Sequence, residues 1–97
     1  MAKEVETRKK AIRELQSQGW VVWHPAKVRF KQNDIFGIID LQALKGSRLR
    51  HIQLTTRPNV ARCRKKILDF FKKRKVKLKV EIWHWLKKQK KFKKESV

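Results

Sequence analysis

Residues 33–56, NDIFGIIDLQALKGSRLRHIQLTT, show the alternation and the turn residues typical of two neighbouring strands. The first strand, Ile35–Leu44, is apolar on both faces, as expected for a strand that is buried on both sides. A turn is predicted at Lys45-Gly46-Ser47 because glycine favours tight connections. In the second strand, Ile52 and Leu54 share one face, and the other face carries Leu49, His51, Gln53 and Thr55.

Two aspartates, Asp34 and Asp40, interrupt the first strand, and the period of two places both on the same face. A carboxylate within an apolar strand is costly unless a partner satisfies it. If the two strands are neighbours, Asp40 and Gln53 meet on one surface near the strand ends. This is the only place in the sequence where acidic and amide oxygens converge in an apolar setting.

Each of these polar residues also has a simpler interpretation. We favour a metal ligand for Asp40, against a strand-end carboxylate satisfied by backbone amides, because apolar residues surround it. For Asp34 we favour ordinary turn chemistry. For Gln53, a ligand and a merely hydrogen-bonded amide are equally good explanations. Thr55 or Thr56 is better explained as an N-cap of the second helix than as a catalytic group.

Composition indicates a single domain whose partner is a polyanion. Lys and Arg number 28 against 8 Asp and Glu, for a net charge of +20 over 97 residues. Such an excess opposes compaction by self-repulsion, so nucleic acid is the first candidate partner and an acidic membrane surface the second. The sequence has no apolar run of transmembrane length and no signal-peptide pattern, so we expect no membrane association. A single cysteine, Cys63, excludes a disulfide framework, and we expect a cytoplasmic protein.

The remaining elements follow from periodicity. Residues 3–18 predict an amphipathic helix, and Gly19 is a plausible stop. Strands are predicted at Trp20–His24 and, alternating most clearly, at Val76–Leu86. A second helix is predicted after the turn at residues 57–59, ending near Arg74, with an apolar stripe of Val60, Cys63, Ile67, Phe70 and Phe71.

Together these elements predict an α/β fold, a mixed β-sheet of about four strands flanked by two helices in the order αβββαβ. We expect one domain over residues 1–86, followed by a mobile basic tail at 87–97. Trp83 and Trp85 are expected in a core or in a dimer interface. The second alternative would make the protein a homodimer. His24, His51 and His84 have no metal-ligand spacing, and we interpret them as structural.

The sequence resembles the PD-(D/E)xK nuclease superfamily in three features. These are the pattern Asp34-x5-Asp40, the tripeptide Gln53-Leu54-Thr55 at the end of the next strand, and the basic helix that follows. The nearest likeness is to small archaeal Holliday-junction resolvases and related virus-encoded nucleases. That resemblance covers roughly residues 3–86 and implies the restriction-endonuclease-like fold. It also implies Mg²⁺- or Mn²⁺-dependent hydrolysis of a DNA backbone.

Residue by residue, the resemblance matches Asp40 to the family aspartate, Gln53 to its glutamate and Thr55 to its lysine. Glu4 matches the glutamate on the first helix of the family in the direction it faces. Its simpler interpretation is an i, i+4 ion-pair partner of Arg8. The implied metal ligands are Asp34, Asp40, Gln53 and Glu4, whose oxygens suit a hard cation. Lys66 or Arg62 would supply a positive charge in place of the lysine.

The expected function is therefore a magnesium-dependent endonuclease or resolvase-like protein acting on DNA, including branched DNA. The alternative is a non-enzymatic nucleic-acid-binding protein that keeps the fold without catalysis. A structural RNA-binding protein, including a ribosome-associated one, is supported by charge alone. The expected contacts to phosphates are made by a set of basic residues: Arg8, Arg57, Arg62, Lys65, Lys66, Lys87 and Lys88.

Overall fold

In the residues that the structure describes, the protein has an α/β architecture with two helices and a five-stranded mixed sheet. The computed structural model describes residues 2–24 and 38–97, with side chains from Glu6 onward. The elements in chain order are α1 (Ala2–Ser17), β1 (Val21–Trp23), β2 (Leu41–Lys45), β3 (Arg48–Thr55), a 3₁₀ turn (Arg57–Asn59), α2 (Val60–Arg74), β4 (Val80–Leu86) and β5 (Lys91–Ser96). The predicted α/β class, the mixed sheet and the two helices are confirmed.

The strands lie side by side in the order of the sequence, β1-β2-β3-β4-β5. All neighbours are antiparallel except β3 and β4, which pair in parallel from His51↔Val80 to Thr55↔His84. Parallel neighbours need a long crossover, and α2 supplies it. The β2–β3 connection is a two-residue turn in which Gly46 has φ 60°, a conformation that favours glycine.

Each face of the sheet is covered by one helix. Beneath α1 lies a cluster built on Ala11, Leu15, Leu41, Ala43, Ile52, Trp83 and Phe92. Beneath α2 lies a second cluster built on Ile38, Ile39, Ile67, Val80 and Ile82. The predicted apolar stripe of α2 packs on this second cluster. Because strand residues alternate between faces, Gln53 lies on the α2 side, beside its partner Ile82.

The segment interpreted as a mobile basic tail is part of the sheet. Residues 91–96 form β5, which pairs with β4 from Glu81↔Ser96 to Leu86↔Lys91. Phe92 is only 7% exposed and lies 5.2 and 5.0 Å, centroid to centroid, from the rings of Trp83 and Trp85. The expectation of a mobile tail after residue 86 was therefore wrong, and the sheet has five strands rather than about four.

Two ion pairs fix β5 to both helices. Lys94 Nζ lies 2.6 Å from a carboxylate oxygen of Glu14 in α1. On the opposite face, Arg64 in α2 donates Nε and Nη2 hydrogen bonds of 2.7 and 2.8 Å to Glu95. Successive residues of β5 thus bind helices on opposite sides of the sheet, as the pleat requires.

Other predicted boundaries shift by a few residues. β4 begins at Val80 rather than Val76, because residues 75–79, which are exposed except for the half-buried Leu78, precede its pairing with β3. β2 begins at Leu41 rather than Ile35; residues 35–37 lie outside the described residues, as does Asp34. Asn59, rather than Thr55 or Thr56, is the N-cap residue of α2, because the 3₁₀ turn separates the helix from β3. Thr56 is the N-cap residue of that turn, without a side-chain hydrogen bond.

We expect Phe92→Ala to lower the free energy of unfolding by about 3 kcal/mol, because truncating a buried phenylalanine removes apolar burial and leaves a cavity. Urea unfolding followed by tryptophan fluorescence measures the change. Lys88→Ala, in the exposed turn before β5, is the matched control and should change stability by less than about 0.5 kcal/mol. Equal stability of Phe92→Ala and the control would mean that β5 does not contribute to the folded state.

Candidate metal and nucleic-acid site

Asp40 lies where β2 begins, directly across from β3. Its backbone N–H donates to the carbonyl of Ile52, and its Oδ2 accepts a 2.8 Å hydrogen bond from the backbone N–H of Leu54. The side chain is buried, with the residue 7% exposed. The predicted neighbourhood of Asp40 and β3 is confirmed. Its carboxylate is partly satisfied by a backbone amide, which was the simpler interpretation of this residue.

Gln53 lies opposite Asp40 on the same face of the sheet. This follows from the register, because Leu41 pairs with Ile52 on the α1 side and each neighbouring residue points to the α2 side. The Nε2 group of Gln53 makes a long 3.4 Å bond to the carbonyl of Leu54. Its Oε1 atom is buried and has no hydrogen-bond partner among the described residues. An unpaired buried oxygen is costly, so this atom marks a place for a cation or a donor.

Thr55 and His84 lie side by side at the ends of β3 and β4. Thr55 is half-buried and stands at the position that the resemblance assigns to a lysine. His84 is buried on the same face, with the residue 6% exposed. Burial lowers its pKa, and the positive charges of Lys93 and Arg57 lower it further, against a smaller opposite effect of Glu95. The imidazole next to Thr55 is therefore neutral at pH 7.

His84 was interpreted from the sequence as structural, without a place near the site. The alternation of Val80, Ile82 and His84 contained the signal, because these residues share one face of β4. The position of His84 beside Thr55 depends on the parallel register of β3 and β4. Periodicity within a strand cannot supply a register between strands.

The other expected ligands and catalytic residues are distributed differently. Asp34 and the side chain of Glu4 lie outside the described residues. Lys66 is exposed on the outer face of α2, whereas Asp40 and the Oε1 atom of Gln53 are buried. In the described part of the chain, no group of three or more His, Cys, Asp or Glu side chains could hold a metal ion. Asp40 and Gln53 are thus the pair of expected ligands that the structure brings together.

The outer face of α2 is a basic surface. Its exposed cations, hereafter the α2 basic surface, are Arg62, Lys65, Lys66, Lys72 and Lys73. Arg74 is also exposed but lies at the end of the helix on the side of Phe70 and Phe71. Asp69 is the single acidic residue of the helix. Arg57 is exposed in the 3₁₀ turn that precedes α2, and Lys87 and Lys88 are exposed in the β4–β5 turn. Arg8 differs from these, because it is half-buried and its Nε atom has no hydrogen-bond partner among the described residues.

A second polar cluster, not expected from the sequence, lies on the α1 side. Arg50 of β3 donates a 2.7 Å hydrogen bond from Nε to Glu81 of β4, and its Nη2 binds the other carboxylate oxygen. Trp83 Nε1 donates to the same carboxylate at 3.1 Å. Burial opposes ionisation of Glu81, but the bonds from Arg50 and Trp83, with the charges of Arg50 and Lys94, lower its pKa overall.

None of the described helices is long and apolar enough to cross a membrane. Comparisons with protein-family models, with curated proteins and with solved structures find no match to this chain.

We expect stability to fall as the pH drops from about 7.5 to about 5, and His84→Gln to reduce that fall. Unfolded His84 takes up a proton near its ordinary pKa of 6.5, whereas the folded residue does so only at lower pH. Protons therefore favour the unfolded state in this window. His51, whose pKa burial also lowers, should retain part of the effect.

Urea unfolding of the wild-type protein and the variant at several pH values measures this dependence. The control is His24→Gln, because the side chain of His24 is exposed. An identical pH dependence in wild type and His84→Gln would show that His84 is not held neutral by the fold.

Proposed function

We propose that this protein is a nuclease-like domain that binds DNA and hydrolyses its backbone with a divalent metal ion held at Asp40 and Gln53. The observation that carries the proposal is the buried Oε1 atom of Gln53, which has no hydrogen-bond partner among the described residues and lies opposite the buried carboxylate of Asp40. A strand pair that served packing alone would gain from apolar residues at both positions.

The oxygen donors present fit Mg²⁺ or Mn²⁺. Asp40 offers a carboxylate, and Gln53 offers a neutral amide oxygen with no competing partner among the described residues. Hard cations prefer such oxygens, although a neutral amide binds more weakly than the carboxylate of the resembled family. When bound, the ion would neutralise charge on the phosphate and lower the pKa of a coordinated water.

The rest of the chain would deliver DNA to that position. α2 packs on the face of the sheet that carries Asp40 and Gln53, and its outer surface is basic. Arg57 lies at the start of the same crossover. Phosphate contacts by such cations bind without regard to sequence, which suits an enzyme that recognises the shape of DNA.

Thr55 favours a second candidate, a DNA-binding protein of the same fold that does not cleave. A threonine cannot supply the positive charge that the matching lysine would provide, and His84 beside it is neutral at pH 7. The buried carboxylate of Asp40 accepts a backbone hydrogen bond in either case. The two candidates differ in one measurable property, metal-dependent cleavage.

We expect Asp40→Asn to reduce Mg²⁺- or Mn²⁺-dependent cleavage by at least about a hundredfold, because it removes the only charged ligand of the pair. The asparagine oxygen can still accept from Leu54 N–H, so the fold should remain intact. Asp69→Asn, the same change on the exposed face of α2, is the matched control and should retain activity. Gln53→Glu should strengthen Mn²⁺ binding by restoring a carboxylate.

The measurements are cleavage of branched, duplex and single-stranded DNA, together with calorimetric titration of Mn²⁺ into each variant. If the wild-type protein neither cleaves any substrate nor binds Mn²⁺, the non-catalytic DNA-binding protein is the correct account. Equal activity of Asp40→Asn and the Asp69→Asn control would exclude Asp40 as the metal ligand.

The α2 basic surface yields a separate prediction about binding. Lys65→Ala/Lys66→Ala should weaken binding to duplex DNA and reduce the slope of log affinity against log salt by about 1 for each phosphate that the variant no longer neutralises. The matched control, Lys9→Ala/Arg13→Ala, removes the same charge from exposed positions on α1, across the sheet. Equal weakening in both variants would indicate a response to total charge rather than a DNA surface on α2.

A further inference from the structure

A cavity lies at the end of the sheet where β3 and β4 begin. It is partly open to solvent, has a volume of about 690 Å³, and is bounded by the first residues of β3 and the residues that lead into β4. It arises from an offset, because β3 begins at Arg48 whereas the pairing with β4 begins only at His51↔Val80. Trp20, from the α1–β1 connection, forms part of its wall. We call it the β3–β4 pocket.

One wall of the pocket is a guanidinium group held in a fixed position. Arg50 uses Nε and Nη2 to bind Glu81, so the N–H groups of Nη1 are outside that pair. Its guanidinium carbon also lies 4.9 Å from the ring centre of Trp20 and 5.5 Å from that of Trp83. A carboxylate and two indole rings therefore hold this guanidinium before any ligand arrives, which lowers the entropy lost on binding.

The pocket has a positive charge that the protein does not compensate. Arg48, Arg50 and Lys79 line it together with one carboxylate, that of Glu81, which is already bound to Arg50. Within the described residues, neither Arg48 nor Lys79 forms an ion pair. Ser96 adds a hydroxyl group at the rim. Two unpaired cations thus face a concave site that also has an aromatic wall.

We propose that the β3–β4 pocket binds a phosphate monoester carried by a nucleoside, either the terminal phosphate of a nucleic-acid strand or a free nucleotide. The doubly negative phosphate monoester matches the two cations that have no ion-pair partner among the described residues. Guanidinium groups bind phosphate through paired hydrogen bonds. The wall formed by Trp20 suits the flat base or the sugar.

This site is distinct from the candidate metal site. Gln53 belongs to the C-terminal half of β3, and Asp40 lies beside it. The pocket lies at the first residues of β3. The proposal requires neither a metal ion nor cleavage. It can therefore succeed or fail independently of the nuclease proposal.

The test measures binding in EDTA to three short single-stranded DNAs of one sequence, with a 5′-phosphate, a 3′-phosphate or neither. We expect wild-type protein to bind one of the phosphorylated strands about threefold to tenfold more tightly than the unphosphorylated strand. Arg48→Ala/Lys79→Ala should abolish this preference. Lys9→Ala/Arg13→Ala removes two exposed cations from α1 instead, outside both the pocket and the α2 basic surface, and should preserve it.

A second measurement distinguishes the source of the phosphate. Adenosine monophosphate is titrated while NMR follows the indole N–H signal of Trp20, assigned with Trp20→Phe. If Arg48→Ala/Lys79→Ala abolishes the shift, and the wild-type protein shows no preference among the three strands, the ligand is a free nucleotide. Equal binding of all three strands and no shift in wild type would overturn the proposal. Loss of the preference in both double variants would also overturn it, because total charge would then explain the binding.

Discussion

The parallel contact between β3 and β4 is the constraint on which the rest of the structure depends. The strands lie side by side in the order of the sequence, but β3 and β4 run parallel and meet only after α2 has crossed the sheet. The Arg50–Glu81 pair spans this contact on the α1 side. Removing one partner of a buried pair leaves an uncompensated charge and costs about 3 kcal/mol or more, less where the pair is partly exposed, as here.

The few acidic residues explain how a chain of this charge can fold. Glu14, Glu81 and Glu95 each bind a cation in another element, so they connect α1 to β5, β4 to β3, and β5 to α2. Asp40 accepts a hydrogen bond from β3. The carboxylates thus stabilise contacts between elements and leave most lysines and arginines on the surface. A strongly positive exterior follows, and it attracts polyanions over long distances.

Much of the architecture could be predicted from local sequence. The helix predicted at 3–18 is observed at residues 2–17, the end of α2 at Arg74 is as predicted, and the apolar stripe of α2 packs on the sheet. Asp40 and Gln53 were expected to face each other, because a short turn fixes the register of a hairpin. These successes share one property: each depends on residues close together in the chain.

The features that could not be predicted depend on distant partners. From its own sequence, β5 looks like a solvated basic end. Its buried Phe92 packs on Trp83 and Trp85, and its charged residues form ion pairs with Glu14 and Arg64, all of which lie in other elements. The β3–β4 pocket results from the offset between two strands separated by a helix. The place of His84 beside Thr55 has the same origin. Registers between distant strands are set by packing, which local patterns do not encode.

The lysines of β5 have a further consequence for how the molecules behave toward one another. Among the described strands, β1 and β5 are the two edges of the sheet, and an exposed edge can pair with another chain and begin aggregation. β1 has only three residues, and β5 presents exposed Lys91 and Lys93. Short or lysine-bearing edges discourage such pairing. If many copies crowd along a nucleic acid that neutralises their mutual repulsion, these edges would keep the sheets from joining.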